Sequence, residues 1–463
     1  MPLHTEPSED ELEAYERTVE RLRQLAVDHP ARIRAERLAQ VFVREGRHRR
    51  RKISLNEARM ADGALIAATA TGATDRREDA PLTVPAGPAR IGDLMRSQRC
   101  YVCKSTYRQV NAFYHRLCPT CAADNTARRA LATDLRGRRA LLTGGRVKIG
   151  FQLALMMLRD GAELTVTSRF PADTVRRFRA APGSEAWWDR LRVVGIDLRD
   201  PRQVLGLCDD LLAEGRPLDI LVNNAAQTIR RGPEAYALLA DGERGALPAG
   251  SDVLLAPGFR PMPALTPAWP AAALESAAPP AGPRLPAPRA PEADEAGLLP
   301  DTAAANSWSA RLGSLDPAEV LETQLVNALA PALLCDRLLP LLAASPNPAR
   351  YIVNVTAVEG RFAVRNKTAR HPHTNMAKAA LNMLTRTSAA ELAARGIHMC
   401  AVDTGWITDE NPAPLKTRMA AAGFRTPLDV VDGAARIYDP IVRGEAGAPV
   451  SGVFLKDYRE AAW

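Results

Sequence analysis

The sequence predicts an α/β protein built on a doubly wound parallel sheet, preceded by a helical N-terminal region and a small zinc knuckle. Three observations predict this. Seven short apolar, β-rich runs recur between Ala140 and Leu455. Helical patterns separate them, and two Cys-x-x-Cys pairs stand just upstream. Strands that alternate with helices belong in a parallel sheet covered on both faces.

Residues 1–95 form the helical region. Leu12, Tyr15, Val19, Leu22 and Leu25 fall at helical spacing, with Ser8 as N-cap and Glu11 completing a capping box. A second helix is expected over Ala31–Arg44, and a loop over Thr71–Ala89. The run Arg47, His48, Arg49, Arg50, Arg51, Lys52 is the densest positive stretch, yet the net charge of +8 is modest for 463 residues. No aromatic residues interleave it, so it reads as a solvated helix end and nucleic acid is not an expected partner. The acidic start MPLHTEPSEDELEAYE lacks the apolar core of a secretory signal. No apolar run reaches the roughly 18 residues of a membrane span. A cytoplasmic protein without membrane contact is the expectation.

Residues 96–130 carry the cysteine pairs. Cys100-Tyr-Val-Cys103 is followed, after fourteen residues, by Cys118-Pro-Thr-Cys121. Two such knuckles can set four thiolates tetrahedrally around one zinc, at about 2.3 Å each. A reducing compartment favours metal over disulfides. A closed four-thiolate site is structural, and the segment is too short to fold on a core of its own. His115 stands close by but reads as a packing or surface residue. Cys208, Cys335 and Cys400 read as small apolar residues.

The sheet domain covers 135–463. Strands are expected at Ala140–Thr143, Leu164–Thr167, Leu191–Asp197, Leu218–Asn223, Tyr351–Val355, Ile397–Val402 and Val450–Leu455, with helices such as Gly150–Arg159 and Pro201–Leu212 between them. One interval breaks the rhythm: roughly a hundred positions separate Asn224 from Asn327, where one short connection and a helix would suffice. Its centre is Pro/Ala-rich and without apolar periodicity, so 232–305 is expected to be a disordered or extended insertion.

Thr143-Gly144-Gly145-Arg146-Val147-Lys148-Ile149-Gly150 follows the first strand and opens a helix. It resembles the TGxxxGxG fingerprint of the short-chain dehydrogenase/reductase superfamily, with Lys148 at the middle glycine. Only seven of the 61 basic residues are Lys, so a Lys here is more informative than usual. The resemblance implies a Rossmann fold and a dinucleotide whose pyrophosphate meets a tight turn and a helix N-terminus. Asp197-Leu198 resembles the adenine-contacting pair. Asn224 and Ala225 stand in the family's NNAG segment, and Asn327 matches the Asn that supports the catalytic lysine through water. After the second strand comes Thr167-Ser168-Arg169, with no acid for a ribose 2′-hydroxyl. Arg there favours a 2′-phosphate, so NADP(H) is the expected cofactor.

The family's chemistry needs a Tyr, a Lys four residues later, and a Ser after the fifth strand. Lys378 fits the lysine. Thr374 stands at the Tyr position and Ala357 at the Ser position, with Thr356 one residue before it. An aliphatic hydroxyl is a far poorer acid than a phenol. His373, adjacent to Thr374, is a candidate general acid, and His371 lies two residues before it. After the sixth strand, Asp403-Thr404-Gly405-Trp406-Ile407-Thr408 departs from the usual Pro-Gly pair, and the resemblance implies cofactor contact at Thr408.

Two readings follow. One is an NADP(H)-dependent oxidoreductase acting on a carbonyl/alcohol pair through an atypical set: Lys378, Asn327, Thr374, Thr356 and His373. The other is an NADP(H)-binding pseudo-enzyme acting as sensor or interaction protein. An open pocket lined by His373, Thr374 and Thr356 would favour the first. Expected partners are a small-molecule substrate and a second copy of the chain or another protein.

Overall fold

The structure, a computed structural model, describes residues 6–260, 293–364 and 367–463. Two compact units compose the chain: Met1–Leu65 with Leu94–Ser97, and Ile66–Asp93 with Gln98–Trp463.

In the first unit, α1 (Glu9–Arg23) starts at Ser8, whose hydroxyl accepts from the Glu11 N–H while the Glu11 carboxylate accepts from the Ser8 N–H. The expected capping box is therefore formed. The apolar stripe on α1 stays exposed, with Tyr15 61% accessible. Helix α2 (Pro30–Ala67) is far longer than the span read from apolar spacing. Its Arg-rich middle carries no proline and only one glycine, Gly46, and Arg and Lys are good helix formers. Arg47–Lys52 are all exposed on it. The Asp62 carboxylate accepts from the backbone N–H groups of Met95 and Arg96 at 2.5 and 3.1 Å. No helix among the described residues is long and apolar enough to cross a membrane.

In the second unit, the two ends of β1 (Arg90–Arg99), up to Asp93 and from Gln98 on, pair antiparallel with β2 (Thr106–Asn111) ahead of α3 (Pro119–Arg128). The sheet domain then runs β3 (Arg139–Leu142), α4 (Lys148–Arg159), β4 (Glu163–Ser168), α5 (Pro171–Arg179), β5 (Leu191–Gly195), α6 (Pro201–Glu214) and β6 (Ile220–Asn223). After α7 (Ala237–Gly242) and β7 (Asp252–Leu255), α8 (Pro317–Gln324) passes through a π-helical turn at Leu325–Leu329 into α9 (Ala330–Arg337) and α10 (Leu339–Ala343). Then follow β8 (Arg350–Thr356), α11 (Pro372–Ala394), β9 (Ile397–Asp403), α12 (Ala413–Ala421), α13 (Val430–Glu445), β10 (Phe454–Lys456) and β11 (Arg459–Ala461).

The nine-stranded sheet has the order β11-β10-β9-β8-β6-β3-β4-β5-β7, parallel except for β11. Successive strand residues point to opposite faces, so two cores form. Ala140, Leu142, Val193 and Val353 pack with α4, α5 and α13, while Leu141, Val194 and Ile352 pack with α6, α9 and α11. Each fully buried Val, Leu or Ile side chain among these contributes about 1.5–3 kcal/mol.

The insertion departs from expectation. Its N-terminal part is ordered: Val253, Leu254 and Leu255 are the β-rich apolar residues of β7, which extends the sheet beside β5. Arg192 pairs with Asp252 at 2.9 Å, and Phe259 packs in the core beside Gly195. Edge pairing and that aromatic anchor hold a segment whose composition alone suggested a disordered or extended surface insertion. Its Pro/Ala-richest stretch, 261–292, lies outside the described residues.

The knuckle shares its core with the sheet domain. Cys100, Tyr107, Phe113, Tyr114 and Leu117 pack with Ile407, Leu428 and Val430. Beside them the Arg129 guanidinium pairs with Asp429 at 2.6 Å, and the Tyr114 hydroxyl donates to Asp432 at 2.6 Å.

Candidate functional site

Strand β3 feeds α4 and then β4 on one side, while β6 lies on the other, so a crevice opens at the ends of β3 and β6. Gly144 turns there with φ +71°, and a Cβ on it would meet the Ala225 Cα at 2.9 Å. A Cβ on Gly150 would meet the Gly144 carbonyl oxygen at 2.1 Å. Both glycines are thus required by close packing as well as by the turn. Thr143 does not line the crevice. Its hydroxyl accepts from the N–H groups of Asn224 and Ala225, 3.0 Å each, and ties β3 to β6. The Asn224 amide completes the tie, donating to the carbonyls of Thr143 and Gly144.

From this turn a cavity of about 990 Å³ runs in both directions. Gly144, Arg146, Lys148, Ile149, Gly150, Asn224 and Ala225 line its middle, where the N-cap of α4, Val147, offers no side-chain cap to the first N–H groups. One end is lined by Ser168, Arg169, Asp197 and Leu198. The Arg169 guanidinium lies over the rings of Phe170 and Tyr236, at 5.8 and 5.2 Å, and makes one hydrogen bond, 3.4 Å to the Tyr236 hydroxyl. Among the described residues no carboxylate pairs with it. Arg146 is instead bonded to Asp173 at 2.7 Å, and Asp197 is held by Arg199 at 2.6 Å.

Lys148 does not offer a spare charge. Its ammonium pairs with Asp79 at 2.8 Å and stands 3.9 Å from Glu410, while Asp79 also accepts from Thr408 at 2.7 Å. Burial works against the ammonium, but Glu410 and Asp79 hold its pKa above the ordinary lysine value. Sequence reasoning missed Asp79, which lies in the expected loop with no signal beyond its charge.

The other end is lined by Thr356, Ala357, Glu359, Thr374, Lys378 and Thr408. The Lys378 ammonium donates to the Val355 carbonyl at 2.9 Å, and burial brings its pKa down to about 8. The Thr356 hydroxyl donates to the Lys378 carbonyl at 3.3 Å, fixing α11 on β8. The Thr374 hydroxyl has no hydrogen-bond partner among the described residues. Burial and nearby Asp403 push the Glu359 carboxyl up.

His373 is not part of this wall. It is 1% exposed, and neither ring nitrogen has a partner among the described residues. Residues one apart on a helix point about 100° apart, so a wall position for Thr374 turns His373 inward. His371 lines the cavity in its place, stacked on Trp308 with ring centroids 4.1 Å apart. Asn327 is also set back: its amide oxygen accepts from the Gln227 N–H at 2.7 Å and its amide nitrogen donates to the Gln227 carbonyl at 2.9 Å. The sequence did not flag Gln227, Trp308 or Tyr101, all of which line the cavity.

The four Sγ atoms of Cys100, Cys103, Cys118 and Cys121 lie within 4.8 Å of one another. A tetrahedron with bonds of about 2.3 Å has edges of about 3.8 Å, and Cys103 and Cys118 are 3.6 Å apart. The donor set fits a closed zinc site. His115 is committed elsewhere: its Nδ1 bonds the Thr71 hydroxyl at 2.8 Å, and burial lowers its pKa to about 3.

Residues 138–240 match the family model described as short chain dehydrogenase, and residues 296–428 match the one described as Enoyl-(Acyl carrier protein) reductase. Uncharacterized protein R665 of Acanthamoeba polyphaga mimivirus is 30% identical over 361 residues, 74% of this chain and 71% of that protein. The C-signal protein of Myxococcus xanthus is 29% identical over 136 residues, 29% of this chain and 80% of its own length. Among solved structures, the Pseudomonas aeruginosa RhlG/NADP active-site complex aligns with a TM-score of 0.43 and 22% identity, covering 70% of this chain and 95% of that one. By its fingerprint turn, its sheet order and the two family-model matches, the chain belongs to the short-chain dehydrogenase/reductase superfamily.

Proposed function

We propose that this chain binds NADP(H) along the crevice, with the 2′-phosphate at Arg169 and the nicotinamide toward Lys378, and acts on a carbonyl/alcohol pair. The observation that carries this reading is the continuous cavity of about 990 Å³ from Arg169 past Gly144 to Lys378. That is the upper range for a small-molecule site. Arg169, without a carboxylate partner, suits a dianionic phosphate through charge-assisted hydrogen bonds. The uncapped N–H groups at the start of α4 suit the pyrophosphate.

The bound dinucleotide would supply hydride. Lys378 would hold the nicotinamide ribose, Thr374 would hydrogen-bond the reacting oxygen without ionising while Thr356, already donating to the Lys378 carbonyl, holds that helix in place, and solvent would supply the proton that the reduced oxygen takes up. The pseudo-enzyme reading is favoured by one observation, the burial of His373 away from the cavity, which removes the nearest substitute acid. Turnover of NADPH with any carbonyl compound decides between the two.

The binding claim is tested by titrating NADPH and NADH by fluorescence. NADPH is expected to bind at least about tenfold tighter, and Arg169→Ala to remove most of that preference. Equal wild-type affinities would refute it.

A further inference from the structure

Tyr101, the residue after the first knuckle cysteine, reaches out of the knuckle into the cavity wall. Its backbone N–H is anchored on the Arg116 carbonyl at 2.8 Å. Its hydroxyl accepts from the Trp406 N–H at 2.8 Å. The same oxygen lies 3.6 Å from where a Cβ on Gly405 would stand. Gly405 itself has φ +84°, so a side chain there would be strained and would meet Leu428 at 2.7 Å. The loop leaves this space to Tyr101.

The parallel register locates that hydroxyl. Thr356 on β8 is opposite Asp403 on β9, so Ala357 and Thr404 leave the sheet side by side. The phenol therefore meets the loop at Trp406, two residues beyond the point where Thr404 leaves the sheet beside Ala357. Lys456, paired with Asp403 at 3.0 Å, lies 5.8 Å from the ring centroid and backs it. The Trp406 N–H occupies the oxygen as a donor, so the hydroxyl's own hydrogen remains to be donated, and it has no acceptor among the described residues.

We propose that Tyr101 is a ligand-binding residue of the site, its neutral hydroxyl donating a hydrogen bond to the nicotinamide carboxamide, and that the four-cysteine knuckle thereby forms one wall of the reductase cavity. This rests on the dinucleotide reading above and adds an element from outside the sheet domain. α11 offers no phenol here; of the chain's eight tyrosines, only Tyr101 and Tyr236 line the cavity, and Tyr236 lies beside Arg169 at the far end.

The test compares two ligands on wild type and Tyr101→Phe: NADPH, and 2′-phospho-ADP-ribose, which lacks the nicotinamide. Both are expected to bind wild type. Tyr101→Phe is expected to weaken NADPH about tenfold, as for one buried hydrogen bond, and to leave 2′-phospho-ADP-ribose unchanged. Retained binding of the second ligand also reports that the variant is folded. Unchanged NADPH affinity, or equal loss for both ligands, would overturn the role of Tyr101. Binding of neither ligand to wild type would instead overturn the dinucleotide reading, and this inference with it.

Discussion

The Asp79 carboxylate stands 2.8 Å from the Lys148 ammonium, at the first turn of α4 where a pyrophosphate would approach. Asp79 is the last of three consecutive residues that each pair with a different partner: Arg77 with Glu295, Glu78 with Lys416, and Asp79 with Lys148. An anion fixed there repels incoming phosphate and spends the charge that Lys148 brings to the turn. Asp79→Asn is therefore expected to tighten NADPH binding about fivefold at low salt, with the gain shrinking as salt screens it. Lys148→Ala in the wild-type background should change affinity much less than in the Asp79→Asn background. Weaker binding by Asp79→Asn would mean that the carboxylate orients Lys148 for the ligand, and would defeat this argument.

Lys378 predicts a pH dependence of stability. Burial favours its neutral amine and lowers the folded pKa from 10.5 to about 8. Between those values the unfolded chain binds a proton that the folded chain does not, so stability rises with pH across that window. Below pH 8 the cost of the buried ammonium is present in full, on the order of 3 kcal/mol at most. Lys378→Met should be more stable than wild type at pH 7, and the gap should narrow toward pH 10. Denaturant unfolding at several pH values measures it; a gap independent of pH would show that burial does not control this lysine.

Much of the sheet was legible because its strands are buried on both faces and read as continuous apolar runs between capped helices. Leu191–Gly195 and Ile397–Asp403 lie within a residue or two of their expected bounds. Edge strand β7 escaped notice because four residues, Asp252–Leu255, give too short a pattern inside a Pro/Ala-rich surround. The turn at Gly144 was legible because its positive φ and close packing call for glycine, and Lys378 because it stands where the family resemblance puts a lysine. Contacts between distant segments were not: no local pattern links Asp79 to Lys148, or Tyr101 to Trp406, across more than sixty and three hundred residues respectively. His373 failed for a nearer reason. Its neighbour Thr374 took the cavity-facing position, and helical geometry allowed only one of the two to face it.

The knuckle's thiolates predict a structural metal with effects beyond the knuckle. Cys118 is both a thiol of the cluster and the N-cap of α3, and the shared core reaches Ile407 beside Thr408. Native mass spectrometry is expected to find one zinc per chain. Cys118→Ser should abolish it, lower the Tm by at least about 5 °C, and speed amide exchange at Trp406, Ile407 and Thr408. A metal-free wild type with an unchanged Tm would remove the structural role.

His373 predicts a stabilising substitution. Both ring nitrogens are buried without partners among the described residues, and burial lowers the ring's pKa, favouring the neutral form. An unpaired buried polar group costs about 1–3 kcal/mol relative to an apolar group of similar shape. His373→Leu is therefore expected to raise stability by about 1 kcal/mol, after allowing for imperfect packing of the new side chain. Because His373 lies off the cavity wall, the same variant should bind NADPH with wild-type affinity and keep whatever turnover the protein has. His371→Ala, by contrast, removes a ring that lines the cavity and stacks on Trp308, and should alter substrate handling. A loss of turnover confined to His373→Leu, with NADPH binding intact, would restore this histidine as the proton donor and require α11 to turn during the reaction.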